Sequence, residues 1–287
     1  MENTQNLNEA RLANAWADLQ AHADLGNMLD SDAYRLAFAD PEFLLRRETR
    51  AIRLQIEMLK PELDQQALGI DNTIVVFGSA RFLPPDEAQK QLEQAQKTGD
   101  AKVLKLAERE VRNALYYEQA RQFGRIVAAH SEKLPHKDKM FISTGGGPGI
   151  MEAANRGAHD LGALNIGLNI ALPFEQSANP YISPELNFKF HYFAMRKMHF
   201  MMRAKALVAF PGGFGTLDEL FEVLTLVQTR KAKPVPIFLY GSDYWKRLIN
   251  FDVLVDEGAI SPEDVKLFKY VDDPQVTWDA IKHFYAL

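Results

Sequence analysis

The sequence of 287 residues contains no cysteine, and this absence excludes several kinds of site at once. A disulfide, a thiolate-bound zinc ion and a cysteine nucleophile all require that residue. The sequence also lacks any run of about 18 uninterrupted apolar residues. Its first stretch, MENTQNLNEARLANAW, has neither the basic start nor the apolar core of a signal peptide. We therefore predict a cytoplasmic protein with no membrane partner.

The sequence also contains fewer basic residues than acidic residues. The chain has 33 lysines and arginines against 38 aspartates and glutamates, which gives a formal net charge of −5 at pH 7. A general nucleic-acid partner would require a strongly basic face, so none is expected. The 47% of hydrophobic residues and 25% of charged residues are typical of one large or two small globular domains with a buried core.

Residues 1–70 are predicted to form a helical extension. The stretches SDAYRLAFA and DPEFLLRRETRAIRLQIEMLKPEL place apolar residues three and four positions apart, as amphipathic helices do. Because apolar faces need a burial partner, we expect this extension to pack on the rest of the protein or on a neighbouring subunit. Its arginines either remain solvated or carry charge toward a nucleotide or an acidic effector; they are Arg46, Arg47, Arg50 and Arg53.

Strands and helices alternate over the second predicted domain, residues 71–287. NTIVVFGSAR gives a first strand, and two charged helical stretches then run to about residue 131. Further strands are predicted in KMFISTGGG, LNIGLNIALP, FKFHYF, ALVAFPGG, PVPIFLYG and KYVDD, each followed by a helix or a turn. This alternation predicts an α/β protein with a Rossmann-like, doubly wound, mainly parallel sheet. Ligands of such sheets bind at the carboxyl ends of the strands.

Glycine-containing turns follow three of the predicted strands. They are Gly78-Ser79 after the first strand, GGGPG at 145–149 after the second, and GGFGT at 212–216 after the fifth. Glycine lets a ligand approach the backbone, and the helix that follows presents unpaired N–H groups to an anion, so a phosphate is expected. Neither GGGPG nor GGFGT fits the Walker lysine loop or the dinucleotide fingerprint. ATP hydrolysis and NAD-dependent hydride transfer are therefore disfavoured. The alternative for each single turn is a tight strand-to-helix connection.

Three stretches resemble one enzyme family. PGGFGTLDE, from Pro211 to Glu219, is similar to the Pro-Gly-Gly-x-Gly-Thr-x-x-Glu signature of the family named after the plant protein LONELY GUY, the cytokinin riboside 5′-monophosphate phosphoribohydrolases. MRKMHF holds the Arg-Lys pair of that family, and GGGPGIMEAANRGA resembles its second glycine turn. The similarity covers roughly residues 70–285. The helical extension resembles that of longer bacterial members, some of which are similar to purine nucleotide nucleosidases.

The resemblance implies hydrolysis of the N-glycosidic bond of a purine or cytokinin nucleoside 5′-monophosphate such as AMP. Glu219 takes the family position of the carboxylate that stabilises the developing cation on the ribose, and Arg196 takes that of the substrate-binding arginine. From the residues alone, Thr216 and Glu219 also fit a capping box, in which the glutamate bonds back to the start of its helix. The Arg-Lys pair alone also fits an ordinary solvated pair.

The resemblance further implies a set of substrate-binding residues. They are Gly78, Ser79, Gly145, Gly146, Gly147, Glu175, Lys197, Gly212, Gly213, Gly215, Thr216 and Glu222. For Glu222, a ribose contact and a structural or solvated acid are both open. His199 and Arg203 fall on the helical face of Arg196. The methionines at 195, 198, 201 and 202 fill the core in one interpretation and form a purine platform in the other.

No cofactor and no metal are expected. Sequences of this kind have often been labelled lysine decarboxylases, but nothing here indicates the Schiff-base lysine that pyridoxal phosphate chemistry needs. The alternative function is a noncatalytic nucleotide or molybdenum-cofactor carrier, because related folds have similar turns. Retention of both Arg196 and Glu219 favours catalysis. We expect a homodimer or a larger homo-oligomer.

Overall fold

A computed structural model of the chain describes residues 36–172 and 177–287. The chain divides into two compact units, the first ending at Ile56 and the second running from Glu57 to Leu287. The part of the predicted extension before residue 36 lies outside the described residues, and a domain boundary at residue 70 stays a prediction. None of the described helices is both long and apolar enough to cross a bilayer.

The described part of the first unit contains helix α1, Pro41–Leu45, and the start of helix α2, Arg50–Ala67. The hydroxyl of Thr49, which lies between these two helices in the chain, is within hydrogen-bonding distance of three backbone carbonyls. Arg53 donates to that hydroxyl at 2.8 Å and to the carbonyls of Leu44 and Arg46. Of the four arginines of the extension, Arg53 therefore holds local backbone, whereas the other three are exposed.

The second unit is built on a sheet of seven strands, and each neighbouring pair is parallel. The strands are β1 Thr73–Phe77, β2 Phe141–Thr144, β3 Ile166–Ile170, β4 Asn187–Phe190, β5 Ala204–Ala209, β6 Ile237–Tyr240 and β7 Phe268–Val271. Their order in the sheet is β4-β3-β2-β1-β5-β6-β7. The helices are α3 Pro85–Thr98, α4 Ala101–Ser131, α5 Ile150–His159, α6 Phe193–Met202, α7 Phe214–Gln228, α8 Ser242–Leu248, α9 Phe251–Asp256 and α10 Pro274–Tyr285. Short 3₁₀ turns lie at Ala37–Ala39, His136–Asp138, Pro184–Leu186 and Asp264–Lys266.

Helices cover both faces of the sheet, so the central strands are buried on both sides. All five residues of β1, TIVVF, are buried, as expected for a strand in a parallel sheet. Helices α4, α5 and α10 pack on one face, with α3 lying against α4. Helices α6, α7, α8 and α9 pack on the other. The predicted α/β fold with a doubly wound parallel sheet is confirmed.

The direction of winding reverses between β1 and β5. From β1 the chain adds β2, β3 and β4 on one side, and it then returns to place β5 on the other. In doubly wound sheets a crevice opens at this point, outside the carboxyl ends of the two strands, and ligands bind there. The first and third glycine turns follow these two strands.

The segment after the predicted strand PVPIFLYG is more divided than one helix. Its stretch YWKRLINFDVLVDEG contains most of two helices, α8 and α9. The break falls at Ile249, whose backbone is extended with φ −131° and ψ 124°. Asn250 then caps α9 by accepting a hydrogen bond from the N–H of Asp252 at 3.2 Å. A short polar side chain that bonds to backbone groups favours such a restart.

Candidate active site

The three glycine turns meet and bond to one another at the carboxyl edge of the sheet. The N–H of Ser79 in the first turn donates to the carbonyl of Pro211 in the third, at 2.9 Å. The N–H of Ile150, at the start of α5, donates to the carbonyl of Ser79 at 3.0 Å. The first turn therefore joins the other two, and all three form one rigid surface.

Some glycines in these turns are required by the fold itself. Gly149 has a φ of +71°, and a Cβ there would lie 2.3 Å from the carbonyl oxygen of Ser79. A Cβ on Gly212 would lie 2.2 Å from the hydroxyl oxygen of Thr216. A side chain at either position would push the turns apart, so these two glycines have a structural explanation.

Gly213 and Gly215 have no such explanation. Neither has a positive φ, and a Cβ built on either meets no atom of the described protein within 4 Å. Both line the cavity above the sheet edge. Since the fold does not exclude a side chain at these positions, the open space beside them is available to a ligand that approaches the backbone.

The amino-terminal end of α7 faces this open space. The helix begins at Phe214, with Gly213 as its N-cap residue, and no side chain caps it. The first backbone N–H groups of a helix have no partner within the helix and attract anions together with the helix dipole. Phe214 itself is 92% exposed and lines the cavity.

The start of α7 overturns the capping-box explanation of Glu219. That explanation requires Thr216 at the N-cap and Glu219 three residues later. Thr216 instead lies inside the first turn of α7, and Glu219 is the sixth helical residue. The sequence left this alternative open because the glycines at 213 and 215 do not mark where the helix begins.

The Glu219 side chain is buried and has no hydrogen-bond or ion-pair partner among the described residues. The residue is 6% exposed, and none of the described residues donates a hydrogen bond to its side chain. Burial raises the pKa of Glu219 to about 7, and the nearby charges of Arg196 and Lys197 oppose this rise. A carboxyl group of this kind changes its charge near neutral pH, which is the property of a group that takes part in acid–base or electrostatic catalysis.

The guanidinium of Arg196 lies near Glu219 and is held between the second glycine turn and β3. Its Nε donates to the carbonyl of Leu168 at 2.6 Å, and its Nη2 lies 3.5 Å from the carbonyl of Gly145. A Cβ on Gly145 would lie 2.5 Å from Nη2, so this glycine makes room for the guanidinium. Burial lowers the pKa of Arg196 and Glu219 opposes this effect, yet an arginine remains charged under any physiological condition.

Arg196 and Glu219 both line a cavity of about 1380 Å³, which is larger than most small-molecule sites. It also contains most of the predicted substrate-binding residues. Those that line it are Gly78, Ser79, Gly145, Gly147, Gly212, Gly213, Gly215 and Thr216. The far wall comes from α4, which contributes Arg112 and Tyr116.

Four predicted site residues are not among those that line the cavity. Lys197 forms ion pairs of 2.8 Å with both Asp218 and Glu222, so it joins α6 to α7. Gly146 donates its N–H to the Thr144 hydroxyl at 3.0 Å. Glu175 lies outside the described residues. The roles of these four residues in binding substrate stay predictions.

Several other side chains of α6 and its C-cap do not line the cavity. His199 is buried against Phe190, with 5.3 Å between ring centroids. Arg203 pairs with Glu62. Met195 and Met201 pack on the core of the second unit, as the core-filling interpretation predicts, whereas the methionines at 198 and 202 are about half exposed.

Sequence reasoning missed the residues that support the turns. The Tyr244 hydroxyl donates to the carbonyl of Gly212 at 2.6 Å. Asn155, fully buried, accepts from the Thr144 hydroxyl at 2.6 Å and from the Asn179 amide at 3.0 Å. Asn179 also donates to the carbonyls of Gly146 and Gly147. Asn155 could have been found from the sequence, because it is a polar residue among the alanines of GIMEAANRGA and falls on the apolar face of α5.

Comparison with known proteins shows that the part of the chain that carries Arg196 and Glu219 is similar to proteins of one family. Residues 151–281 match the family described as "Possible lysine decarboxylase". The probable cytokinin riboside 5′-monophosphate phosphoribohydrolase LOGL5 of Oryza sativa subsp. japonica is 34% identical over 125 residues, which are 42% of this chain and 50% of the relative. LOG3 of Arabidopsis thaliana, a cytokinin riboside 5′-monophosphate phosphoribohydrolase, is 34% identical over 126 residues, or 42% and 57% of the two chains. Over this part of its length the chain is similar to members of the LONELY GUY family.

The match to the LONELY GUY family is partial in length. The chain spans about half the length of these curated relatives. The range 151–281 includes both Arg196 and Glu219 but not the first two glycine turns. The resemblance found in the sequence motifs is thus confirmed.

Among solved structures, a molybdenum-cofactor carrier protein from Chlamydomonas reinhardtii is 20% identical. It covers 75% of this chain and 98% of its own, with a TM-score of 0.44. At this similarity the comparison carries no argument about function. The fold assignment depends on the sheet order and the strand directions described above.

Proposed function

We propose that the protein hydrolyses the N-glycosidic bond of a purine nucleoside 5′-monophosphate such as AMP, giving the free base and ribose 5-phosphate. The observation that carries this proposal is the buried carboxylate of Glu219, which accepts no hydrogen bond from the described residues and lies close to an uncapped helix end. A carrier needs the helix end to bind a phosphate, but it has no use for a buried, unpaired carboxylate. The names of the curated relatives support the same reaction.

The phosphate of the substrate binds at the amino-terminal end of α7 in this proposal. The N–H groups there have no side-chain cap, and the two glycines at 213 and 215 leave the backbone open. Arg196 adds a permanent positive charge that can bind phosphate or ribose oxygens.

Glu219 acts on the ribose. As the bond from C1′ to the base breaks, positive charge develops on the ribose, and a carboxylate stabilises it. The same group orients the attacking water, whose oxygen ends on C1′ and whose proton ends on the departing base. Because the carboxylate has no protein hydrogen bond to break, it is free to interact with the ribose and the water.

The label of the matched family does not fit the cavity. A pyridoxal-phosphate decarboxylase needs a lysine that reaches the cofactor. Among the described residues, no lysine lines the cavity, and the nearest candidate, Lys197, is paired with two carboxylates. We therefore favour the nucleotide over an amino acid as substrate.

A product assay tests the proposal. The purified protein is incubated with AMP, GMP, IMP, CMP and N6-isopentenyl AMP, and the released base is measured. We expect base release from at least one purine monophosphate, and much less from adenosine than from AMP because adenosine lacks the phosphate. Exhaustive chelation should leave the rate unchanged. Tight binding of a nucleotide without base release would favour the carrier alternative.

The same product assay also shows whether a cytokinin nucleotide or an unmodified purine nucleotide is the preferred substrate. Release from N6-isopentenyl AMP in preference to AMP would indicate a cytokinin-activating role, and the reverse would indicate purine turnover. The cytoplasmic location and the homo-oligomeric state stay predictions, and light scattering of the purified protein tests the second.

A further inference from the structure

Helix α6, which carries Arg196, receives its amino-terminal cap from another helix. Its own N-cap residue, Tyr192, makes no side-chain cap bond. The carboxylate of Glu57, near the middle of α2, accepts the N–H of His191 at 2.8 Å and the N–H of Tyr192 at 3.1 Å. A carboxylate here satisfies unpaired N–H groups and interacts favourably with the helix dipole.

The carboxyl end of α6 is held by the same helix. Arg203, the C-cap residue of α6, forms two parallel hydrogen bonds with the Glu62 carboxylate, of 2.7 and 2.8 Å. Its Nε also donates to the carbonyl of Ile70 at 2.7 Å. The bonds from Arg203 lower the pKa of Glu62, which is the behaviour of a carboxylate in a strong two-point ion pair.

Between these two ends, Lys197 joins α6 to α7 through its two ion pairs. His199 is 3% exposed, and neither of its ring nitrogens bonds to a described residue. Burial lowers the pKa of His199, so the ring packs as a neutral group. Among the described residues, the hydrogen bonds and ion pairs that join α6 to α2 therefore lie at the two ends of α6.

Arg196 is sensitive to the position of α6 along its own axis. It lies on α6 between the contacts at Tyr192 and Arg203, and its guanidinium passes the second glycine turn, where a Cβ on Gly145 would be 2.5 Å away. Its bond to the carbonyl of Leu168 has a length of 2.6 Å. A shift of α6 by a fraction of an ångström would move the guanidinium relative to the substrate, and misplacements of about 1 Å are costly in catalysis.

We infer that Glu57 and Glu62 are positioning residues, which fix Arg196 through the two ends of α6. The inference rests on the proposed function for its effect on substrate, but not for its effect on α6. Residues 57–67 then belong to the machinery of the site, although no residue of that segment lines the cavity.

The first experiment needs no substrate. In the full chain, hydrogen exchange of the Arg196 side-chain Nε–H is followed by ¹⁵N NMR. Glu57→Ala should speed this exchange by about tenfold, because the bond to Leu168 is then held less firmly. The control is Asp64→Ala, on the same helix, whose carboxylate bonds to no described residue. Equal exchange in Glu57→Ala and the control would overturn the inference.

The second experiment links the cap to the substrate. AMP affinity is measured by calorimetry in the Glu219→Gln background, where turnover is slow. Glu57→Ala should weaken binding by roughly tenfold, and this loss should disappear when Arg196→Ala is also present. An equal loss with and without Arg196 would show a merely structural role and overturn the inference.

The two experiments distinguish their failures. If AMP does not bind to the chain at all, the proposed function fails, whereas the exchange of Arg196 still decides the positioning role. If Glu57→Ala does not fold, Glu57→Gln replaces it with the same criteria, since one side-chain oxygen remains as an acceptor.

Discussion

Glu219 is buried, and none of the described residues donates a hydrogen bond to its carboxylate. Removal of its negative charge is therefore the most direct test of its role in catalysis. Glu219→Gln keeps the shape of the side chain and loses the negative charge. We expect turnover to fall by on the order of a hundredfold or more, while AMP affinity changes little, because the charge matters only as C1′ becomes cationic. Released adenine gives the rate and calorimetry gives the affinity.

The matched control is Glu118→Gln, an exposed carboxylate of α4 that does not line the cavity. It should leave both quantities unchanged. Arg196→Ala should weaken AMP binding and also slow the reaction, since its charge meets the substrate before the transition state. Turnover of Glu219→Gln near that of the wild type would end the catalytic assignment.

The pKa of Glu219 predicts how the rate depends on pH. If the carboxylate is the active form, kcat/KM for AMP should rise with pH and level off above the pKa of about 7. The measurement is a pH–rate profile of the wild type between pH 5 and 9. In Glu219→Gln the remaining rate should lose this inflection; an inflection that persists would assign it to another group.

The same pKa predicts an effect on stability. A carboxyl group whose pKa is raised on folding binds protons more tightly in the folded state, so stability falls as pH rises from about 4.5 to about 7. Glu219→Gln avoids this loss. At pH 8 the variant should be more stable than the wild type by roughly 3 kcal/mol, since one pKa unit is worth about 1.4 kcal/mol. Urea unfolding at pH 5 and pH 8 measures the difference, which should be small at pH 5.

At the scale of elements, the open start of α7 connects fold and function. Gly215 is helical and has no neighbour where a Cβ would stand. Gly215→Ala should therefore raise the free energy of unfolding by up to about 1 kcal/mol. It should also weaken AMP binding, because the methyl group occupies the space of the phosphate. Chemical denaturation and calorimetry measure the two effects.

Gly157→Ala provides the contrast. This glycine is also helical, but a Cβ there would lie 2.0 Å from the carbonyl oxygen of Arg121. The substitution should lower stability, since α4 and α5 would be forced apart. If Gly215→Ala binds AMP as tightly as the wild type, the phosphate does not bind at the start of α7.

Much of the fold could be predicted because its signals are local. The β-branched run TIVVF and the alternation of strands with helices after residue 71 can each be recognised from short stretches of consecutive residues. Local signals failed where a glycine obscured a helix start, as at Phe214, and where one asparagine restarts a helix, as at Asn250. Residue type also indicated the glycine turns, Arg196 and Glu219, with help from the family resemblance.

The support of the site could not be predicted in this way. The partners of Glu57 are His191 and Tyr192, which are 134 and 135 positions away. Nothing near Glu57 distinguishes it from the other acids of α2, such as Asp64. Such contacts depend on the arrangement of whole helices, which a single sequence does not specify locally.

At the scale of the whole molecule, the end of α2 and the loop after it are part of the second unit. Ile70 is fully buried, and Glu57 and Glu62 hold α6. A chain that begins at Asp71 lacks all three. We expect it to have a lower melting temperature and to lose most of its AMP cleavage, because one core residue and both anchors of α6 are removed.

Melting by circular dichroism, base release and light scattering test the truncated chain against the full chain. A truncated chain of full activity, unchanged melting temperature and unchanged oligomeric state would show that residues 1–70 are dispensable.

The separation of Glu57 from His191 has a consequence for biosynthesis. At about 5 to 20 residues per second, the ribosome needs roughly 7 to 27 seconds to add the 134 positions between them. During that interval the carboxylate of Glu57 has no α6 to cap, because α6 has not yet been synthesised. The contact between these two helices therefore forms only after most of the chain has been made.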